Sequence, residues 1–284
     1  MHKNPFYTAM RVTIIAWSTT SWSVDIKAQT PAPIPETVAY KTGDTILKAY
    51  IYRPEGEGPF PAIVWQHGSP KPLMESGPVS RFDALAALCV SNGYVLFIPD
   101  RIHRNIYFRT LADRISGSVA SPEKEFVFRH ALEQLEENHQ VSIDALEWLK
   151  GQGYVDENRI VMSGYSMGSV QTLYEAKKHL GVRAYIPFTL PSSTWGGSEQ
   201  LQDLMVESVK AADAPILLIQ AQNDYNLRAS EARGKDFAQK GPPNGLKIYP
   251  PYGKTQKDAN LFVLTGCEVW GQDVFTFIQA AVQP

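Results

Sequence analysis

Residues 37–42 and 46–53 alternate apolar and polar side chains around Gly43-Asp44. This pattern predicts a half-buried antiparallel hairpin with a tight turn. Further on the alternation gives way to short, wholly apolar runs at residues 61–66, 94–98, 159–163, 183–188, 215–220 and 246–249. Runs of that length without a polar face predict strands covered on both sides, as in a parallel sheet. Between them lie helical periodicities. Residues 81–92 end before Gly93, a C-terminal cap signal. Residues 122–150 carry Pro122 in the first turn and stop before Gly151. Residues 170–180 read as an amphipathic helix, and 269–282 as a closing one. The layout predicts an α/β fold: a mostly parallel eight-stranded sheet with helices on both faces and the hairpin as its antiparallel edge.

The junction after residues 159–163 carries the sharpest chemical signal. Gly164-Tyr165-Ser166-Met167-Gly168 sits between an apolar strand and a helix. A serine on such a turn resembles the nucleophile elbow of the α/β-hydrolases, where flanking glycines admit a tight bend and the strained serine backbone lifts its hydroxyl clear of the sheet. A serine hydroxyl is protonated at neutral pH and needs a neighbouring base. The histidines are His2, His67, His103, His130, His139 and His179, so none follows the elbow helix, whereas the chain order of this fold is serine, acid, histidine.

Bulk properties narrow the field. A chain of 284 residues, 44% hydrophobic and 20% charged, suits one α/β-hydrolase domain over 37–284. A formal net charge of −2 offers nothing to nucleic acid or an anionic membrane surface, and no apolar run beyond the N-terminus is long enough to span a bilayer. Residues 1–28 have a basic start, a short apolar centre and Ala28 before a cleavage point, the arrangement of an export signal. Residues 29–36, rich in proline, read as an extended linker. The expectation is an exported protein, the alternative a cytoplasmic one with an N-terminal tail. Cys89 and Cys267 make no disulfide framework, and Cys89 falls within an apolar pattern that predicts a core thiol.

The remaining chemistry gathers at strand ends. Asp224, in Gln220-Ala221-Gln222-Asn223-Asp224-Tyr225, ends the strand at 215–220 and is the candidate acid, its alternative role being a turn or helix cap. Backbone N–H groups of Met167 and of Gly68 or Ser69 would form an oxyanion hole. His67 is expected to brace its loop. Residues 100–121 mix arginines with Tyr107 and Phe108, either an insertion overhanging a pocket or a solvated connection. Tyr165 and Trp195 are candidate pocket walls. His130, His139 and His179 are expected on exposed helix faces, and no His/Asp/Glu group has metal-ligand spacing. The proposed chemistry needs no metal and no cofactor.

Several segments together resemble the dienelactone-hydrolase-like branch of the α/β-hydrolases, including its exported esterases and peptidases. They are Val64-Trp65-Gln66-His67-Gly68, residues 94–101, residues 154–160, the elbow, residues 220–226 and Ile248-Tyr249-Pro250-Pro251-Tyr252-Gly253. The resemblance implies a small-molecule ester or acyl substrate. It also implies Asp-Gly-His, a variable residue and Phe after the last segment, where this chain has Asp258-Ala259-Asn260-Leu261-Phe262. The histidine slot therefore holds Asn260. Ser169 likewise replaces a frequent second glycine. An amide does not titrate near neutral pH and cannot take the proton from Ser166. Two expectations follow: a weak serine hydrolase, with His103 or His67 as candidate substitute bases, or a catalytically lapsed hydrolase fold that binds a ligand or partner.

Overall fold

The computed structural model describes residues 33–68, 71–102, 122–191 and 199–282, with the side chains of 122–128 excepted. Within them the chain opens on the hairpin of β1 (Glu36–Thr42) and β2 (Thr45–Tyr52), turned at Gly43 with φ 54°. The sheet continues through β3 (Phe60–Gln66), β4 (Val95–Pro99), β5 (Val155–Tyr165), β6 (Tyr185–Phe188), β7 (Leu217–Ala221) and β8 (Gly245–Tyr249). Their spatial order is β1-β2-β4-β3-β5-β6-β7-β8. Pairing is antiparallel for β1–β2 and β2–β4 and parallel from β4 onward. The expected α/β-hydrolase sheet with its antiparallel edge is thus present.

The apolar runs work because each strand supplies both faces. Val64, Phe97, Met162 and Leu218 enter one core with α2 (Pro122–Lys150) and α3 (Met167–Ala176), through Leu146, Leu149 and Leu173. Trp65, Leu96, Val161 and Ile219, the residues between, enter a second core. It is closed by α1 (Asp83–Ser91) and by α8 (Cys267–Val282), the last helix, through Leu85, Trp270 and Ile278. There Phe188 lies between Trp65 and Trp270, with ring centroids 5.7 and 4.9 Å away. Gly93 caps the exit of α1 at φ 78°, as its position predicts.

Some elements differ from the sequence expectation. β5 begins at Val155, four residues early, because Val155 pairs with Phe60 before a register shift. Helices α4 (Glu199–Ala211) and α5 (Arg228–Lys240), and the short α6 (Gln256–Asn260) and α7 (Phe262–Thr265), were not anticipated. The elbow helix is not amphipathic. Every residue of α3 from Gly168 to Ala176 is buried, and its polar groups are satisfied inside. Thr172 Oγ1 donates to Gly168 O at 2.8 Å, and Gln171 Nε2 donates to Glu175 Oε1 and, at 3.2 Å, to Leu135 O. The wholly buried Glu175 meets His139 Nδ1 at 2.6 Å. His139 is therefore not an exposed helix residue but the partner of an interior carboxylate, which would be costly to bury unmatched. His130 is exposed, and His179, 62% exposed at its side chain, stands just past the helix at φ 57°.

Cys89 and Cys267 are both free and buried in the second core. Burial raises both thiols above their ordinary range, Cys267 to about 12, and each stays protonated.

Candidate active site

The elbow is built by three constraints. Ser166 stands at φ 54° and ψ −121°, outside the usual regions for a residue with a Cβ, at a cost of about 1–3 kcal/mol that its surroundings must offset. Its N–H donates to Phe188 O at 3.1 Å, which ties the bend to β6. Ser169 Oγ donates to Ser166 O and pins the far side of the turn. Both glycines are sterically required. A Cβ on Gly164 would lie 2.5 Å from Gly168 O, and one on Gly168 would lie 1.9 Å from Gln66 O. The first turn of α3 is thereby pressed onto the end of β3.

That contact brings two sources of N–H donors together. Met167 is the first residue of α3, where a backbone N–H has no intrahelical acceptor and the helix dipole is positive. Gly68 follows β3, and a Cβ there would lie 2.5 Å from the Tyr165 ring, so Tyr165 packs against this loop. Ser69 lies outside the described residues. Beside Met167, Arg101, Leu135, Val170, Gln171 and Leu201 line a narrow cleft of about 20 Å³, room for roughly one water.

The loop after β3 is held from beneath. His67 is 1% exposed, its Nε2 3.3 Å from Asp100 Oδ1. Asp100 also accepts the N–H groups of Leu73 and Arg101, at 2.8 and 2.9 Å. Arg101 donates through its guanidinium to His67 O, and Tyr40 OH donates to Asp100 O. Burial lowers the Arg101 guanidinium to about 10, opposed by Asp100 and Tyr40, so it stays cationic at neutral pH. His67 is thus enclosed beneath its loop, with Asp100 beside its ring and Arg101 on its carbonyl. His103 and Trp195 lie outside the described residues, as do residues 1–28 of the expected export signal.

Asp224 and Asn260 meet. Asn260 Nδ2 donates to Asp224 Oδ1 at 3.2 Å, the bond a triad histidine would make. The other Asp224 contacts come from Gln220 Nε2 to Oδ2 at 2.8 Å and its neighbour Tyr225 N to Oδ1 at 2.7 Å. Asn223 joins the two loops reciprocally. Its Nδ2 donates to Tyr252 O at 3.0 Å, and its Oδ1 accepts Tyr252 N at 2.8 Å. Sequence reading assigned no role to Gln220 or Asn223, because nothing local marks a strand-end amide as the support of a carboxylate four residues on.

The segment carrying Asn260 is a capped turn. Thr255 and Asp258 form a reciprocal capping box at the start of α6. Asp258 Oδ2 also accepts Lys254 N at 2.9 Å. These bonds, the one from Lys254 foremost, then those with Thr255, hold Asp258 below its ordinary 3.8. A carboxyl lowered on folding stabilises the folded form above its unfolded value. That contribution fades as pH falls through the lower folded value. An NMR titration of Asp258 is expected to show a midpoint below 3.8, with the Asn260 side-chain amide signals shifting over the same window. A midpoint at or above 3.8 would remove the cap from the account of how Asn260 is held.

A serine at a strained strand-to-helix turn, on an eight-stranded sheet of this order, makes the fold that of the α/β-hydrolases. The model of the dienelactone hydrolase family matches residues 47–254, and the chain belongs to that family. The match stops six residues before Asn260 (260 − 254). A curated relative, esterase EstD of Thermotoga maritima, is 29% identical over 185 residues, covering 64% of this chain; the chain spans 38% of that relative's length. Among solved structures, dienelactone hydrolase from Anabaena variabilis aligns with a TM-score of 0.60 at 17% identity, over 89% of this chain and all of that one. Porphyromonas gingivalis dipeptidyl peptidase 4 aligns at 0.61 and 17% identity, over 88% of this chain and 36% of its own.

Proposed function

We propose that the protein is a serine hydrolase acting on carboxylic esters or related small acyl compounds, with Ser166 as nucleophile and turnover limited by Asn260. Met167 N–H and an N–H from Gly68 or Ser69 form the oxyanion hole, and Asp224 is the acid of the triad. The observation that carries the reading is the positive φ of Ser166 at a glycine-flanked elbow. Membership of the dienelactone hydrolase family and similarity to an esterase support ester chemistry. Asn260 offers Asp224 a hydrogen bond but no proton exchange, and loss of the base from a triad costs on the order of a million-fold in turnover. The oxyanion hole and binding alone retain roughly a thousand-fold over water.

A fluorophosphonate probe, whose fluoride leaves without a proton, is expected to label Ser166 slowly in the parent and not in Ser166→Ala. Peptide mass mapping locates the adduct. Absence of Ser166-dependent labelling would favour the second reading, a lapsed hydrolase fold that binds a ligand or partner, which the amide in the histidine slot supports. The proposal extends to location: the protein is exported, and recovery of a mature chain that still begins at Met1 from its native host would refute that.

A further inference from the structure

We infer that Ser166 accumulates as a long-lived acyl ester when it meets acyl donors whose leaving group departs as a stable anion, aryl esters above all. Deacylation then limits turnover, and the protein behaves as an acyl acceptor that gives up its acyl group only slowly. This rests on the reading of Ser166 as nucleophile.

The inference follows from what Asn260 removes from each half of the reaction. In acylation, Ser166 Oγ bonds to the acyl carbon and the bond from that carbon to the aryl oxygen breaks. The aryloxide leaves with its electron pair, and the serine proton passes to solvent. No acid is needed to expel such a leaving group, and the N–H groups near Met167 stabilise the charge that develops on the carbonyl oxygen. Deacylation has no such help. Water must lose a proton as it attacks the ester carbon, and Ser166 Oγ, a far poorer leaving group than an aryloxide, must gain one as it departs. Both transfers belong to the residue in the histidine slot.

Other groups do not fill the gap among the described residues. Asp224 is 7% exposed, and donors from Asn260, Tyr225 and Gln220 occupy both its oxygens. Glu175, the partner of His139, stands nine residues beyond Ser166 (175 − 166), about 13 Å along α3. His67 is buried under its loop with Nε2 turned to Asp100. Asn260 therefore slows the second half-reaction more than the first.

Stopped-flow mixing of the parent with p-nitrophenyl acetate tests this, with intact mass and peptide mapping of the quenched protein beside fluorophosphonate labelling. The expected result is a slow first turnover that releases about one p-nitrophenolate per chain while one acetyl group appears on Ser166, with release then nearly ceasing. That adduct should outlast its counterpart in Asn260→His by about 10²–10⁴-fold, the usual contribution of a positioned acid–base group. Peptide mapping of the parent places the adduct even if a serine variant misfolds. Fluorophosphonate labelling of Ser166 with steady turnover and no acetyl adduct would overturn the inference and leave Ser166 as nucleophile. The same turnover abolished by His103→Ala would overturn it by identifying a substitute base. Failure of both reagents at Ser166 would remove the reading beneath it as well.

Discussion

Replacing Asn260 with histidine is expected to raise kcat for p-nitrophenyl acetate by about 10²–10⁴-fold, the range a positioned general base contributes and only part of the roughly million-fold that the base of a complete triad is worth. The site is prepared for it. Asp224 already receives a hydrogen bond from the slot, Gln220 fixes its other oxygen, and Asn223 clamps the two loops. An imidazole whose Nδ1–H replaces the Asn260 amide would have its tautomer set by Asp224, leaving Nε2 as acceptor. The pH profile provides a second reading. Asn260 has no titration near neutrality, so the parent's rate should climb with hydroxide through this range without a plateau. The variant should show an inflection near the histidine value of about 6.5, raised if Asp224 favours the imidazolium. A folded variant with neither gain nor inflection would mean that residue 260 does not occupy the histidine slot.

The sequence made the sheet legible because each core strand is apolar at consecutive positions, a signal that does not depend on distant contacts. The elbow was legible for the same reason: Gly164, Ser166 and Gly168 encode a local bend. Asp224 was legible from its place at the end of an apolar strand, whereas Asn260 was found only through a family pattern, and their hydrogen bond joins residues that are 36 positions apart. What escaped was either masked by composition or long-range. Helix α5 buries Ala229, Ser230, Arg233 and Phe237, and an arginine in the buried stripe hides its period. Helix α4 buries Leu201, Met205, Ser208 and Val209, a helical spacing diluted by a serine in the buried stripe and by the charged residues between. The mistaken amphipathicity of α3 has a clearer cause. Gln171, Thr172 and Glu175 look like a solvated face, yet Thr172 turns back onto Gly168 O, and Leu135 and His139 of α2 accept from Gln171 and pair with Glu175. Polar residues on a helix report a need for partners, and only the fold decides whether water supplies them.

Gly168→Ala should be the most damaging single-methyl addition at this site. The new Cβ would lie 1.9 Å from Gln66 O, 2.5 Å from Gln66 C and 2.9 Å from His67 O. All are backbone atoms of a central strand end, so no rotamer change relieves the contact. Overpacking a core commonly costs about 1–3 kcal/mol, and a clash with backbone belongs at the top of that range or above it. Urea unfolding is expected to give a loss of at least about 3 kcal/mol against the parent. Ser169→Ala, one residue on, loses hydroxyl bonds to Ser166 O and Thr189 O but creates no clash, and should cost only about 1 kcal/mol. The functional consequence separates them further. Gly168 sets the distance between Met167 N–H and the chain leaving β3, and a misplacement of about 1 Å in a catalytic array can cost on the order of 100-fold. Molecules of Gly168→Ala that remain folded should therefore lose most of their fluorophosphonate labelling, while Ser169→Ala retains it. Equal stability and equal labelling in Gly168→Ala would mean that the elbow helix does not press on β3, and that the oxyanion hole is not assembled across this contact.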